Sequence, residues 1–330
     1  MLTTFVTVSL EMMPNINVRT DRWMSYLPNH VKNKPINHII LPGTHDSGAN
    51  KINHTAIGNN FWVSVANKLS SLHKIKKIIN DWTLTQNITI REQLTLGVRR
   101  FDFRISHCDI VNDFFVMHTF ACQPLLNILM DIKIFIDNNP TEVIILNFSV
   151  DWYNSNSMNT TKNNKVVSML NKIFGDKILA RNNIFPSYNT MIDNGKQLII
   201  FYNAIFNLDS NLVWNNRLLY EPWDDTSDIV TKIGMLDNDM NMLRTDKYNI
   251  ISLTLTPQKF DICSDIIKRI FNPSYEAKSI EYYASIINSF HKVFVELNWH
   301  KLNNVSCLSF DFIEKSLIKN IIKLNFVSSN

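Results

Sequence analysis

The chain has 330 residues, of which 45% are hydrophobic and 19% charged, and its net charge is +4. No uninterrupted apolar run reaches the ~18 residues that a membrane-crossing helix requires, and no dense Lys/Arg stripe interleaved with aromatics suggests a nucleic-acid surface. The modest positive charge is compatible with visits to an anionic membrane surface and does not require them.

In chain order, Met1 to Leu10 is mildly apolar but lacks a basic start and a small-residue cleavage site, so it reads as a mature extension and not a signal peptide. The sequence divides into an N-terminal extension, residues 1–30, and one domain, residues 31–330. Eight strands are predicted, near His38–Leu41, Val98–Phe103, Phe114–Met117, Val143–Phe148, Leu198–Tyr202, Arg217–Tyr220, Ile250–Leu255 and Val305–Phe310. Most are near-continuous apolar runs, the pattern of strands buried on both faces of a parallel sheet. Helical periodicity marks Leu125–Asp137, Lys165–Phe174, Ser279–Leu297 and Ile313–Leu324. Strand and connection repeated eight times read as an α/β fold, a single and irregular (β/α)8 TIM-type barrel. No linker, charge block or internal repeat marks a second domain. The long stretch 49–84 would lie at the barrel mouth. The four cysteines, Cys108, Cys122, Cys263 and Cys307, have no Cys-x-x-Cys spacing and read as free thiols of a reducing compartment.

The chemistry gathers at strand ends. Leu41-Pro42-Gly43-Thr44-His45-Asp46-Ser47-Gly48 reads as a strand that breaks at Pro-Gly and then presents a histidine beside a carboxylate, a pair suited to proton transfer near neutral pH. Alternation puts Asp102 and Arg104 on the same side of the next strand, and His118 ends the third. Two histidines and an arginine suit acid–base cleavage of a phosphodiester, one imidazole removing a proton and the other supplying one while the guanidinium holds phosphate oxygens. Asp311, ending the last strand, would come beside the first when the barrel closes and could orient His45 through a carboxylate–imidazole hydrogen bond.

These residues resemble the X domain of phosphatidylinositol-specific phospholipases C. The family's L-P-G-T-H-D-S stands here as Leu41 to Ser47, its Q-L-x-x-G-V-R-x-F-D-x-R as Gln93 to Arg104, and its histidine-ending strand as Val116 to His118. Phe135 to Phe148, Leu255-Thr256-Pro257-Gln258 and Leu308 to Phe312 look like further landmarks. The resemblance implies the same barrel, with His45 as general base, His118 as general acid, Arg104 on the phosphate, Asp46 supporting Arg104 or His118, and Asp311 orienting His45. It also implies a phospholipid substrate at a membrane surface, met by a cytoplasmic protein making peripheral contact.

Calcium-dependent animal members carry acidic residues around the second strand and an asparagine after the first histidine. Here Asp46 follows His45, and Arg104 stands where a second carboxylate would. Asp102 alone is a poor site for an ion wanting ~6–8 oxygens, so the pattern resembles the metal-independent members and implies neither metal nor cofactor. The bacterial enzymes place basic residues after strands four and five to hold the inositol phosphate; the corresponding places hold Ser149 or Val150, and Tyr202 with Asn203 next. Asp102, Ser149 and Tyr202 are the candidate substrate-binding residues. Their change of character leaves two alternatives open: a head-group-binding regulatory protein with little turnover, and a phosphodiesterase acting on a non-inositol phospholipid. Trp223 and Trp299 read as packing residues in preference to mouth residues.

Overall fold

The computed structural model describes residues 18–53, 73–150, 158–182, 184–203, 210–272 and 274–327. Its strands are β1 Leu41–Thr44, β2 Arg100–Cys108, β3 Asp113–His118, β4 Phe120–Pro124, β5 Ile144–Val150, β6 Leu198–Asn203, β7 Leu219–Tyr220, β8 Tyr248–Leu253 and β9 Cys307–Phe310. Parallel pairing runs β6-β5-β2-β1-β9-β8-β7, which makes the wall of a TIM-like α/β barrel. Trp214 adds a bridge beside Phe201 of β6. Among the described residues no ladder joins that side to β7, so hydrogen bonds do not close the barrel.

The third predicted strand is not part of this wall. Asp109 to Asn112, with Asn112 at φ 49°, joins β2 to β3. A turn that short cannot make a parallel crossover, which needs a dozen or more residues. β3 therefore pairs antiparallel with the far end of β2, Ile105 opposite Val116, and β4 extends the hairpin. The hairpin rises beyond the barrel and brings His118 back to the mouth.

Pro42-Gly43 does not break β1 but lies within it, Gly43 being paired with Arg100 on one side and Ser309 on the other. A Cβ on Gly43 would lie 2.4 Å from the Cys307 sulfur and 3.3 Å from Arg100 Cδ. The glycine serves close approach inside a filled barrel, not a turn.

Helices cover the wall. The helix Ile90–Leu96 starts with a capping box of Thr89 and Glu92 and stops at Gly97, φ 117°. It delivers Gln93, fully buried, to Thr44 Oγ1 and the Ser47 carbonyl, so the helix grips the turn that carries His45. The described part of the N-terminal extension packs below the barrel: Trp23 is fully buried and its indole N–H donates to the Gly97 carbonyl at 3.0 Å. The four cysteines are free, and only Cys263 is exposed.

Candidate active site

The turn after β1 is fixed by its own hydroxyls. Ser47 Oγ accepts from the Asp102 amide at 2.8 Å and donates to the Thr44 carbonyl, while the Asp46 carbonyl accepts from Thr85 Oγ1 and the Ala49 amide. These bonds hold Asp46 at φ 40°, in the left-handed region that aspartate tolerates better than most residues. Left-handed backbone costs free energy and persists where its surroundings determine it.

That turn aims a fully buried carboxylate at two imidazoles and a guanidinium. Asp46 Oδ2 lies 3.1 Å from His45 Nε2 and 3.6 Å from His118 Nε2, and Oδ1 lies 3.0 Å from Arg104 Nε. The other side of His45 faces Asp311, with Nδ1 to Oδ1 at 3.0 Å. Arg104 Nη2 is 3.0 Å from His45 Nε2. His118 Nδ1 donates to the Thr83 carbonyl at 2.6 Å, which leaves Nε2 on the Asp46 side. The structure thus brings together His45, Asp46, Arg104, His118 and Asp311. All but Asp46 line one cavity of about 260 Å³ at the mouth.

The charges settle one another. Burial works against a charged His45, but Asp46 and Asp311 outweigh both burial and Arg104 and raise the imidazole from its ordinary 6.5 to about 9. Burial works against the Asp46 carboxylate too, yet Arg104, His45, His118 and Arg100 hold its carboxyl below the usual range. The resting site at neutral pH contains an imidazolium at position 45 between two carboxylates.

Beneath lies a second ion pair that sequence reasoning missed. Arg100, fully buried inside the barrel, meets Glu221 Oε1 at 2.6 Å and Asp102 Oδ1 at 3.9 Å. Asn147 Nδ2 donates to the other Glu221 oxygen. Burial pushes the Glu221 carboxyl up and Arg100 opposes it. Glu221 anchors the loop carrying Trp223, whose ring lies 4.8 Å from the His45 imidazole, so Trp223 is a mouth residue after all. Trp299 packs against the core. The available signal was Glu221-Pro222-Trp223 directly after a strand; nothing local pointed to its partner in β2.

Asp102 sits between the two layers, its Oδ2 accepting from the Asp46 amide at 3.4 Å. Ser149 stands in register with Arg104 but does not line the cavity. Tyr202 is buried with its hydroxyl donated to Asn163 at 2.8 Å, turned away from the mouth. Thr85 and Trp82, from the stretch after the helix His73–Asp81, do line it. His45, Asp46 and Asp102 can each offer one metal-ligand atom, all within 4.8 Å of one another. Arg104 already presents a fixed positive charge to Asp46, which opposes a cation on the same carboxylate.

Comparison with known proteins bears on the origin of this arrangement. A PI-PLC X family model matches residues 71–232. PI-PLC X domain-containing protein 2 of Homo sapiens is 26% identical over 254 residues, 76% of this chain and 82% of that protein. PI-PLC X domain-containing protein 3 of Homo sapiens is 26% identical over 314 residues, 92% and 93% of the two chains. Among solved structures, the phosphatidylinositol-specific phospholipase C of Listeria monocytogenes matches at TM-score 0.60 and 19% identity, over 94% of this chain and all of that one. That of S. aureus, from a study of its membrane binding, matches at 0.62 and 18%, over 97% and 100%. The fold is that of these enzymes, and the motif resemblance holds in sequence as well.

Proposed function

We propose, with kinship to the PI-PLC X-domain proteins as the premise, that this cavity cleaves the phosphodiester of a glycerophosphoinositide by His45/His118 acid–base catalysis. The observation that carries the reading is the convergence of two imidazoles and one guanidinium on the buried Asp46 carboxylate, at a cavity open to the mouth. In its neutral form His45 accepts the proton of the inositol 2-hydroxyl at Nε2 as that oxygen attacks phosphorus. Asp311 keeps the opposite nitrogen of the ring engaged and its orientation fixed. Arg104 stabilises the charge gathering on the phosphoryl oxygens. His118, held by Thr83, protonates the departing diacylglycerol oxygen from Nε2. The products are diacylglycerol and a cyclic inositol phosphate, which the same pair can open with water. Asp46 balances the cations throughout, and no step requires a metal.

Arg104 and the two histidines are the only basic side chains lining the cavity among the described residues. A head group with additional phosphates would find no further cation there, which favours unphosphorylated phosphatidylinositol as substrate. The same feature supports a second reading, a phosphodiesterase for another phospholipid head group. No helix among the described residues is long and apolar enough to cross a membrane. Peripheral contact of a cytoplasmic protein with its substrate's bilayer belongs to the same proposal.

Phosphorus NMR of the protein with phosphatidylinositol micelles in EDTA tests the reading, with His45→Ala as control. A cyclic phosphodiester resonance in wild type alone supports it. Silence on phosphatidylinositol together with product from another head group moves the assignment to the second reading, and tight binding without product makes the protein a head-group binder.

A further inference from the structure

The ladder between β1 and β9 stops one residue short of His45 and Asp311. Its last rung joins Thr44 to Phe310, and beyond it the His45 amide still donates to the Phe310 carbonyl at 3.1 Å. Both strands then turn away, through Asp46 at φ 40° and Phe312 at φ 45°, left-handed positions without a glycine. Such backbone persists where its surroundings determine it. A side chain takes over where the ladder ends. Gln86, fully buried, donates its amide to the His45 carbonyl at 3.2 Å and the Phe310 carbonyl at 3.0 Å, and its oxygen accepts from the Ile313 amide at 3.4 Å. Its neighbours hold the rest of the site. Thr85 Oγ1 donates to the Asp46 carbonyl at 2.9 Å, the Thr85 carbonyl accepts from the Phe312 amide at 2.8 Å, and the Thr83 carbonyl accepts from His118 Nδ1. Asn288 steadies the β9 side from without, donating to the Asp311 and Phe312 carbonyls. Gln86 bonds both strands.

We infer that Gln86 is a positioning residue, whose amide stands in for the next rung between β1 and β9 and keeps the Asp311 carboxylate against His45. The inference rests on the reading of the cavity as an acid–base site and adds to it a residue outside the cavity lining. Glutamine has two N–H donors and an acceptor oxygen on one planar group, which matches two carbonyls and one amide. The bond it protects is a single one, His45 Nδ1 to Asp311 Oδ1 at 3.0 Å. Its two side chains stand on backbones that diverge, so a shift of about 1 Å between them breaks it. The chain contains a second glutamine of similar construction at the foot of the barrel. Gln197, 1% exposed just before β6, donates to the carbonyls of Ile136, Asn139 and Glu142. It ties backbone together with no site residue beside it, and so separates the cost of losing a buried amide from the cost of misplacing Asp311.

The test compares Gln86→Met with Gln197→Met, through the NMR titration of the His45 ring and through kinetics on phosphatidylinositol micelles. Methionine keeps the length and loses the donors, so both variants leave buried carbonyls unpaired and should melt several degrees lower. In the wild type His45 faces Asp46, Asp311 and Arg104, with His118 across Asp46 and Glu221 below, and is raised to about 9. Gln86→Met is expected to bring that titration down toward the ordinary 6.5, because Asp311 recedes while Asp46 and Arg104 stay. The acidic limb of kcat/KM should move with it, and kcat should fall by about 10²-fold with KM close to wild type. Gln197→Met should leave the titration, the pH profile and turnover per folded molecule unchanged. If Gln86→Met does not fold, Gln86→Asn, which keeps the amide and shortens its reach, carries the same expectation. A His45 titration unmoved by the change at position 86, or moved equally by Gln197→Met, overturns the proposal. A titration moved by the change at position 86 alone, in a protein that cleaves no phosphodiester, supports the positioning role and sinks only the catalytic reading.

Discussion

Two arginines bracket the parallel part of β2, and both pair with a fully buried carboxylate. Arg99, at the foot of the barrel, has no exposure; it meets Glu142 at 2.7 Å, and its remaining donors go to the carbonyls of Leu94, Val98, Thr20 and Asp21. Arg104, at the mouth, meets Asp46 at 3.0 Å but keeps 30% of its side chain exposed, toward the cavity. The foot pair is saturated: every donor has a protein acceptor, and the pair ties the N-terminal segment to the barrel. The mouth pair is held open, its carboxylate shared with two histidines and its guanidinium turned to where a phosphate would sit. One pairing chemistry serves cohesion at one end of a strand and a shared, solvent-reached charge cluster at the other, and the burial of the guanidinium makes the difference.

Mutation should separate the two ends. The largest effect belongs to the mouth: His45→Ala or His118→Ala should each lower turnover of phosphatidylinositol by ~10²–10⁴-fold, with the urea unfolding midpoint unchanged in His118→Ala and lowered at neutral pH in His45→Ala, which loses its pairing with two carboxylates. Near-normal rates in both variants would refute the assignment. Next comes the foot, where Glu142→Ala leaves Arg99 buried without its partner and should destabilise by ~3–5 kcal/mol with turnover per folded molecule retained; chemical denaturation and an activity titration on the same samples decide it. Arg104→Lys keeps the charge and loses the planar fork, so kcat should fall by about 10²-fold while stability stays close to wild type. If Arg104→Lys unfolded the protein and Glu142→Ala impaired only catalysis, the contrast between the ends would be inverted.

A gentler probe is pH. His45 acts as a base only when neutral, so the acidic limb of kcat/KM should rise with pH toward an apparent value of about 9, and the need for a protonated His118 turns the profile down on the alkaline side. The same shift bears on stability with the opposite slope. The folded-state value lies above the ordinary 6.5, so the stabilisation is complete below that pH and is lost as pH rises through about 9. Melting curves of wild type and His45→Ala across this range should converge on the alkaline side, and parallel curves would count against the two-carboxylate environment of His45.

Much of this was legible because the informative features are local. The motif from Leu41 to Ser47 contains the strand, the turn and two site residues, and Asp102 and Arg104 follow from alternation. The apolar runs of β5, β6, β8 and β9 fixed those strands within a few residues. What escaped depends on partners far along the chain. The Arg100–Glu221 pair spans 121 residues, and both members look like ordinary surface charges in sequence. Trp223 packs on His45 only because that pair anchors its loop. Tyr202 looked available at a strand end, but its hydroxyl belongs to Asn163 on the helix Thr160–Phe174. The direction of β3 was readable from the brevity of its connection to β2, and the apolar content of Phe114–Met117 obscured it.

The place of β1 between β2 and β9 also sets a timetable. His45 receives its orienting carboxylate from a residue 266 positions later, and Leu41 to Thr44 pair along one edge only with the last strand. At ~5–20 residues per second of synthesis, β1 waits on the order of tens of seconds for that partner. Until Asp311 emerges, the nascent chain has an unpaired strand edge and no oriented imidazole. The oriented imidazole therefore arrives only once β9 has been made, and a chain released short of β9 would be prone to pair that edge with a neighbour.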